Sequence, residues 1–181
     1  MKEHGKVTLF RYDPQISRKV HYATFEEVPY KNLTVLNVLD YIYTERDHSL
    51  AFRGKLCAKG YCGGCGVMVN KSPCLPCHFL ATEEMTIEPH PSFTIIKDLV
   101  CDWDQIDDNA NFLGEIAKPY PTIFVDPDKC IHCGDCVLMC SVGVYEMVDK
   151  KAAVVHNERC LGRSCQMCSD ACWKTAISIK E

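Results

Sequence analysis

The chain has 181 residues, a formal net charge of −4 and 47% hydrophobic residues. This suits one globular domain or two small ones and offers no basic surface for a nucleic acid. No apolar run approaches the roughly 20 residues that span a bilayer, and no signal peptide opens the chain. Fourteen cysteines would read as a disulfide framework in a secreted protein, but their spacings here are those of metal ligands, which points to a reducing cytoplasm.

Val7 and Leu9 alternate with polar residues along a predicted strand from Lys6 to Tyr12, which ends at the turn signal Asp13-Pro14. His21 to Val28 is a second strand, so the chain opens with a hairpin. Val35, Leu36, Val38, Leu39 and Ile42 then recur at helical spacing behind Thr34, a suitable N-cap, and predict a helix over Val35–Glu45 packed on that sheet. Strand, strand, helix and cysteine loop make the order of a β-grasp domain.

Next comes Cys57-Ala-Lys-Gly-Tyr-Cys62-Gly-Gly-Cys65, followed by Gly66-Val-Met-Val-Asn70 and a return to Cys74-Leu-Pro-Cys77. C-x4-C-x2-C is the spacing of plant-type 2Fe-2S sites. A glycine-rich loop there lets backbone amides approach the sulfurs, and Gly60, Gly63, Gly64 and Gly66 meet that need. Spacing alone leaves the fourth ligand open between Cys74 and Cys77, since either could sit on the strand returning from the turn at Asn70–Pro73.

Ile96, Leu99, Val100, Trp103 and Ile106 fall on one helical face, with Asp98, Asp102, Asp104, Asp107 and Asp108 mostly opposite. This predicts a solvated helix packing the first domain. Its acidic face could receive a basic partner, and Cys101 beside it reads as a buried thiol. Asn109–Pro121, with Gly114, Pro119 and Pro121, reads as a linker whose core is 111–121, which divides the chain into domains 1–110 and 122–181.

Over residues 6–110 the chain resembles the iron–sulfur subunit of the succinate dehydrogenase and fumarate reductase family. The resemblance rests on Arg11-Tyr-Asp-Pro14, Ser49-Leu-Ala-Phe-Arg53, the three-cysteine loop and Ile95-Ile-Lys-Asp-Leu-Val100, several of which ligate nothing. In that family eleven residues separate the third and fourth cysteines. The resemblance therefore implies Cys57, Cys62, Cys65 and Cys77 as the 2Fe-2S ligands and makes Cys74 a packed bystander.

Beyond the linker, Thr122–Val125 and Lys151–Val155 are predicted strands. Tyr145-Glu-Met-Val and Ala176-Ile-Ser-Ile pair with them, so that one cysteine run plus one hairpin repeats. The first run is Cys130-Ile-His-Cys133-Gly-Asp-Cys136-Val-Leu-Met-Cys140. The second is Cys160-Leu-Gly-Arg-Ser-Cys165-Gln-Met-Cys168-Ser-Asp-Ala-Cys172. Three closely spaced thiolates can wrap one face of an iron–sulfur cube, while a fourth, three residues on, points away and serves the other cube. Cys130, Cys133, Cys136 and Cys172 would hold one 4Fe-4S cluster and Cys160, Cys165, Cys168 and Cys140 the other. Paired C-x2-C also makes zinc sites, but four cysteines per run with the three-residue final gap favour iron.

This segment resembles the bacterial two-cluster ferredoxin, an α+β fold. Ser141 and Trp173 replace the proline that usually follows each fourth cysteine, and four residues rather than two separate Cys160 from Cys165. Loss of that first ligand would leave a three-iron cluster. His132 and His78, each near a ligand, could donate to cluster sulfur but read as ordinary exposed histidines. A Rieske pattern is absent.

Three clusters would take the formal charge to roughly −10. The chain shows no nucleophile with a base, no carboxylate pair, no phosphate loop and no flavin or nicotinamide fingerprint, so it is not expected to be catalytic by itself. The resemblance implies an electron-transfer role alongside a separate FAD-bearing flavoprotein. The short ferredoxin stands where the membrane-bound enzymes carry a longer helical domain, which turns expectation from quinone to a soluble redox partner such as a ferredoxin or a thiol couple. A free-standing multi-cluster ferredoxin and the iron–sulfur subunit of a molybdenum oxidoreductase are the alternatives.

Overall fold

β-Branched and aromatic residues alternate through the first thirty positions, and they form a long hairpin of β1 (His4–Asp13) and β2 (Ser17–Pro29). The structure, a computed structural model, describes residues 3–54, 57, 63–106, 121–162 and 165–180. The predicted linker at 111–121 lies almost wholly outside them. Val7, Leu9 and Phe10 of β1 are almost completely buried.

The helix α1 (Val35–Glu45) has the predicted bounds. Thr34 Oγ1 accepts from Asn37 N and the Asn37 side chain accepts from Thr34 N, a capping box that satisfies two otherwise orphaned donors. Val35, Leu36, Val38, Leu39 and Ile42 form its buried stripe.

Further strands of the first half are β3 (Val67–Val69), β4 (Ser72–Cys74) and β5 (Glu84–Glu88). The main sheet has the order β2-β1-β5-β3-β4, with β5 parallel to β1 and every other pair antiparallel. Asn70 and Lys71, both with positive φ, turn β3 into β4.

The helix predicted from Ile96, Leu99, Val100, Trp103 and Ile106 is not formed. These residues lie on and between two antiparallel strands, β6 (Phe93–Lys97) and β7 (Val100–Ile106). The apolar residues recur at helical spacing by coincidence of two strands and a turn. Thr94, Ile95, Ile96 and Val100 are β-branched and suit strands better. Asp98 takes a left-handed φ of 47° at the turn, a conformation that aspartate tolerates.

Asp98 is therefore not on a solvated face. It is 1% exposed and belongs to a buried ionic node. Arg11 Nε donates to Asp98 Oδ1 at 3.1 Å, Nη2 donates to Ser49 Oγ at 2.8 Å, and Nη1 pairs with Asp47. Asp98 also accepts from Tyr12 N at 2.9 Å and Ala51 N at 2.8 Å. Burial alone would raise the Asp47 carboxyl, but hydrogen bonds from Ser49 and Arg11 outweigh it and pull the group down to about 2. The node fastens β1, the loop after α1 and the β6–β7 turn to one another.

The second half is two small antiparallel strand pairs and two short α-helices. β8 (Thr122–Val125) pairs with β11 (Ile177–Lys180), and β9 (Tyr145–Val148) with β10 (Lys151–Val154). The helices α2 (Asp135–Met139) and α3 (Met167–Ala171) each carry the third cysteine of a run. Buried Cys101, as predicted, and Val142, Val144 and Leu161 of the second half join one apolar cluster with the first. No helix among the described residues is long and apolar enough to cross a membrane.

Asp98→Ala leaves the buried Arg11 guanidinium with Asp47 and Ser49 but without its fully buried carboxylate partner. It is expected to lower stability by about 3 kcal/mol, read as an earlier thermal unfolding transition, whereas Asp13→Ala at the more exposed Lys97 pair should leave that transition almost where it was.

Candidate metal-cluster sites

The first thiol set is assembled by the main sheet and α1. Cys65 precedes β3, and Cys74 ends β4 opposite Val67. The return after β4 is pinned by the open end of the helix: Leu36 N donates to Pro76 O and Val35 N to Phe79 O, each at 2.9 Å. This brings Cys77 to Cys65, with sulfurs 3.6 Å apart. Cys57 is half-buried, while Cys62 and Gly60 lie outside the described residues.

Cys74 is 1% exposed, and burial raises its thiol well above the ordinary range, with the charges of Cys65 and Cys77 adding to the effect. It thus stands close to both predicted ligands. Geometry alone does not separate it from them by role.

The second thiol set is drawn from both runs. Cys160, pushed up to about 12 by burial, also feels Cys168, Cys165 and Cys140, and Cys165 feels Cys168 and Cys140. All four line a small, largely apolar recess, together with Val142, Tyr145 and Leu161. Val144 N donates to Cys140 Sγ at 3.3 Å and Gly162 N to Cys160 Sγ at 3.4 Å. Tyr145 Oη donates to Cys168 Sγ at 3.2 Å.

Of the remaining predicted ligands, Cys130 has its N–H held by Asp126 O at 2.9 Å. Cys136, raised to about 11 by burial, feels Cys168 and Cys130. His132, partly rather than fully exposed, has Nδ1 3.6 Å from Cys130 Sγ, whereas His78 is exposed as predicted. Cys172 Sγ accepts from Ala176 N at 3.3 Å. Cys133 is exposed.

These surroundings fit iron–sulfur clusters. The donors are thiols, none of the described cysteines is in a disulfide, and backbone N–H groups point at the sulfurs, as stabilised thiolate charge requires. Among the described residues, no three His, Cys, Asp or Glu side chains converge as they would on a single metal ion.

Two of the sets meet directly. Gly63, with φ +66°, packs so closely that a Cβ there would lie 2.3 Å from Ser141 Oγ and 3.6 Å from Leu161 Cδ1. Ser141 and Leu161 follow Cys140 and Cys160. Alongside, Ser92 Oγ donates to Glu158 O at 2.7 Å, and the Arg159 guanidinium lies 5.9 Å from the centroid of the Phe93 ring. His90, fully buried, lies tilted against Phe93 with ring centroids 5.1 Å apart and reaches the backbone of Cys160; burial drives its pKa down to about 4, so it is neutral.

Sequence reasoning missed Tyr145, His90 and the Ser92–Phe93 contact. Tyr145 had a signal: it occupies the position that Ile177 holds in the second repeat, five residues after the fourth cysteine. His90, between Pro89 and Pro91, had none beyond its turn-like flanks.

A family model described as a 2Fe-2S iron-sulfur cluster binding domain matches residues 6–108, more than half of the chain. The chain belongs to this family. A second model, described as a 4Fe-4S dicluster domain, matches residues 122–173. The chain is 37% identical over 118 residues to a fumarate reductase iron-sulfur subunit of Haemophilus influenzae, covering 63% of this chain and 44% of the relative. It is 32% identical over 162 residues to the fumarate reductase iron-sulfur subunit of Wolinella succinogenes, covering 76% and 66%. A third relative, one of the subunits of the CoM/CoB fumarate reductase of Methanothermobacter marburgensis, is 29% identical over 147 residues, covering 75% and 30%. The chain thus spans from under a third to about two thirds of the length of these relatives.

Within this family member the Gly63 contact is open to test. Gly63→Ala forces a side chain into a left-handed conformation and against Ser141, and should cost about 1 kcal/mol or more. Ser141→Gly in the same chain should recover the steric share only, as a partial return of the thermal transition.

Proposed function

We propose that this chain is the electron-transfer iron–sulfur subunit of a fumarate reductase- or succinate dehydrogenase-like flavoprotein complex. It carries electrons between a flavin on a separate catalytic chain and a redox partner in solution, and catalyses nothing alone. The reading divides the chain into a β-grasp 2Fe-2S domain, 1–110, a linker, 111–121, and a two-cluster ferredoxin domain, 122–181.

Cys57, Cys62, Cys65 and Cys77 would hold a 2Fe-2S cluster. Cys130, Cys133, Cys136 and Cys172 would hold one 4Fe-4S cluster, and Cys160, Cys165, Cys168 and Cys140 the other. Each cluster, when bound, supplies a one-electron store with no proton chemistry. The chain's part is to supply thiolates, N–H donors and a dry surround.

The observation that carries this reading is the seat of Gly63 on Ser141 and Leu161. It sets the first thiol loop against residues that directly follow ligands of the second set, which is what a serial path needs. The names of the Haemophilus and Wolinella relatives support a flavoprotein partner. That of the Methanothermobacter relative supports a thiol couple as the partner at the far end. A cytoplasmic location goes with such partners.

Anaerobically prepared chain should contain about ten irons and no stoichiometric zinc. About six irons with zinc would overturn the cluster count, and nine would mean a three-iron centre at the Cys160 run. Cys77→Ser should abolish or shift the 2Fe-2S EPR signal while Cys74→Ser keeps it; the reverse pattern would exchange their roles.

The functional test is native purification followed by rapid kinetics. A tightly bound flavoprotein is expected; a molybdopterin chain or a stable lone monomer would favour another oxidoreductase or a free carrier. In the complex, Cys57→Ala should remove the 2Fe-2S centre and stop flavin-to-cube electron exchange in stopped-flow reduction, while the cubes still accept electrons from dithionite. Exchange at the unmutated rate would make the first domain a scaffold and not a conductor.

A further inference from the structure

The two halves of the ferredoxin-like segment repeat each other closely at their fourth cysteines and then diverge at one side chain. Four residues after Cys140, Val144 N donates to its sulfur at 3.3 Å; four residues after Cys172, Ala176 N does the same at 3.3 Å. One residue further, the first half has Tyr145 and the second has Ile177, each opening a strand. Tyr145 is 3% exposed, and its Oη–H donates to Cys168 Sγ at 3.2 Å from within the recess shared by Cys140, Cys160 and Cys165. Isoleucine has no donor to offer.

A buried phenol must find some acceptor, and satisfying its hydroxyl would be reason enough for a contact with a polar atom. Here the acceptor is a thiol of one predicted centre, and the hydroxyl is the only side-chain donor to any of that centre's four sulfurs among the hydrogen bonds described. A hydrogen bond to cluster sulfur shifts reduction potential, because reduction adds one negative charge to the thiolate set and the donor's dipole stabilises the more negative state more. The effect is strengthened where water is excluded.

We propose that Tyr145 is a positioning residue that raises the reduction potential of the centre held by Cys140, Cys160, Cys165 and Cys168 and leaves the centre at Cys130, Cys133, Cys136 and Cys172 unaffected. The inference rests on the cluster assignment proposed above. One electron is taken up and none of the atoms moves: the phenolic proton stays on Tyr145 Oη and only its hydrogen bond strengthens. The same centre adjoins Gly63 through Ser141 and Leu161, so the phenol makes the station nearest that loop a better electron acceptor than it would be without the hydroxyl.

The test is a potentiometric titration of the full chain with its clusters, followed by EPR, in wild type and in Tyr145→Phe. The variant keeps the ring and removes the donor. One of the two 4Fe-4S centres should become about tenfold harder to reduce at a fixed applied potential, a shift of about 59 mV for one electron, while the other 4Fe-4S and the 2Fe-2S centres keep their midpoints and iron content is unchanged. No shift, or an equal shift of all three, overturns the proposal.

Wild-type chain labelled with 3-fluorotyrosine supplies the opposite sign without disturbing the fold, since the fluorinated phenol is the stronger donor. It should make the same single centre easier to reduce, and a labelled chain with unchanged midpoints overturns the proposal even if Tyr145→Phe fails to retain iron. Absence of two 4Fe-4S signals in the unmodified wild type would instead reject the cluster assignment beneath it.

Discussion

A backbone N–H aimed at a cysteine sulfur recurs at Cys140, Cys160 and Cys172, and much of the second half serves to keep those amides in place. The short loops that carry thiols have little apolar surface of their own to bury, so they cannot hold a geometry by packing alone. They borrow it. Val144 and Ala176 stand just ahead of strands whose antiparallel partners fix their direction, and Asp126, which anchors Cys130, is itself bonded to Ala176. The sulfurs of Cys140 and Cys172 are thereby tied to strand ladders, and the negative charge that accumulates on thiolates meets oriented dipoles in place of water.

The first half solves the same problem with a helix end and an ion pair. α1 commits its open N–H groups to the carbonyls around Cys77, and Arg11 gathers β1, the Asp47–Ala51 loop and the β6–β7 turn around one charge. The β6–β7 hairpin then reaches across to the second half through Ser92 and Phe93. A neutral, fully buried His90 fits this border, since the loss of water disfavours a charged imidazole there by more than Glu158 favours it.

How much of this is legible in the residues depends on whether a signal is local. Thr34, Asn37 and the stripe from Val35 to Ile42 announce α1 because capping and amphipathicity lie within one helix. The cysteine runs are legible for the same reason: ligand spacing is a short-range property of the chain. Residues 96–106 read as a helix because spacing cannot tell a helical stripe from two strands when a turn residue is an aspartate rather than a glycine. Asp98 pairs with Arg11 across 87 positions, and no window along the sequence contains both. Tyr145 is visible only as a mismatch between repeats, and its meaning emerges once the fold carries its hydroxyl to Cys168.

The placement of β5 between β1 and β3 bears on synthesis. β1 is made first and β3, which leads out of the Cys65 loop, follows, yet neither pairs with the other: Glu84–Glu88 supplies the parallel partner of one and the antiparallel partner of the other. Until that strand leaves the ribosome the amino-terminal hairpin and the thiol loop are separate pieces, and a non-local parallel pairing of this kind is slow to form. Iron delivered to the nascent chain before residue 88 would meet cysteines on an unclosed sheet. Closure of the sheet behind the thiol loop is thus a late event, timed by the emergence of a strand that carries none of the predicted ligands.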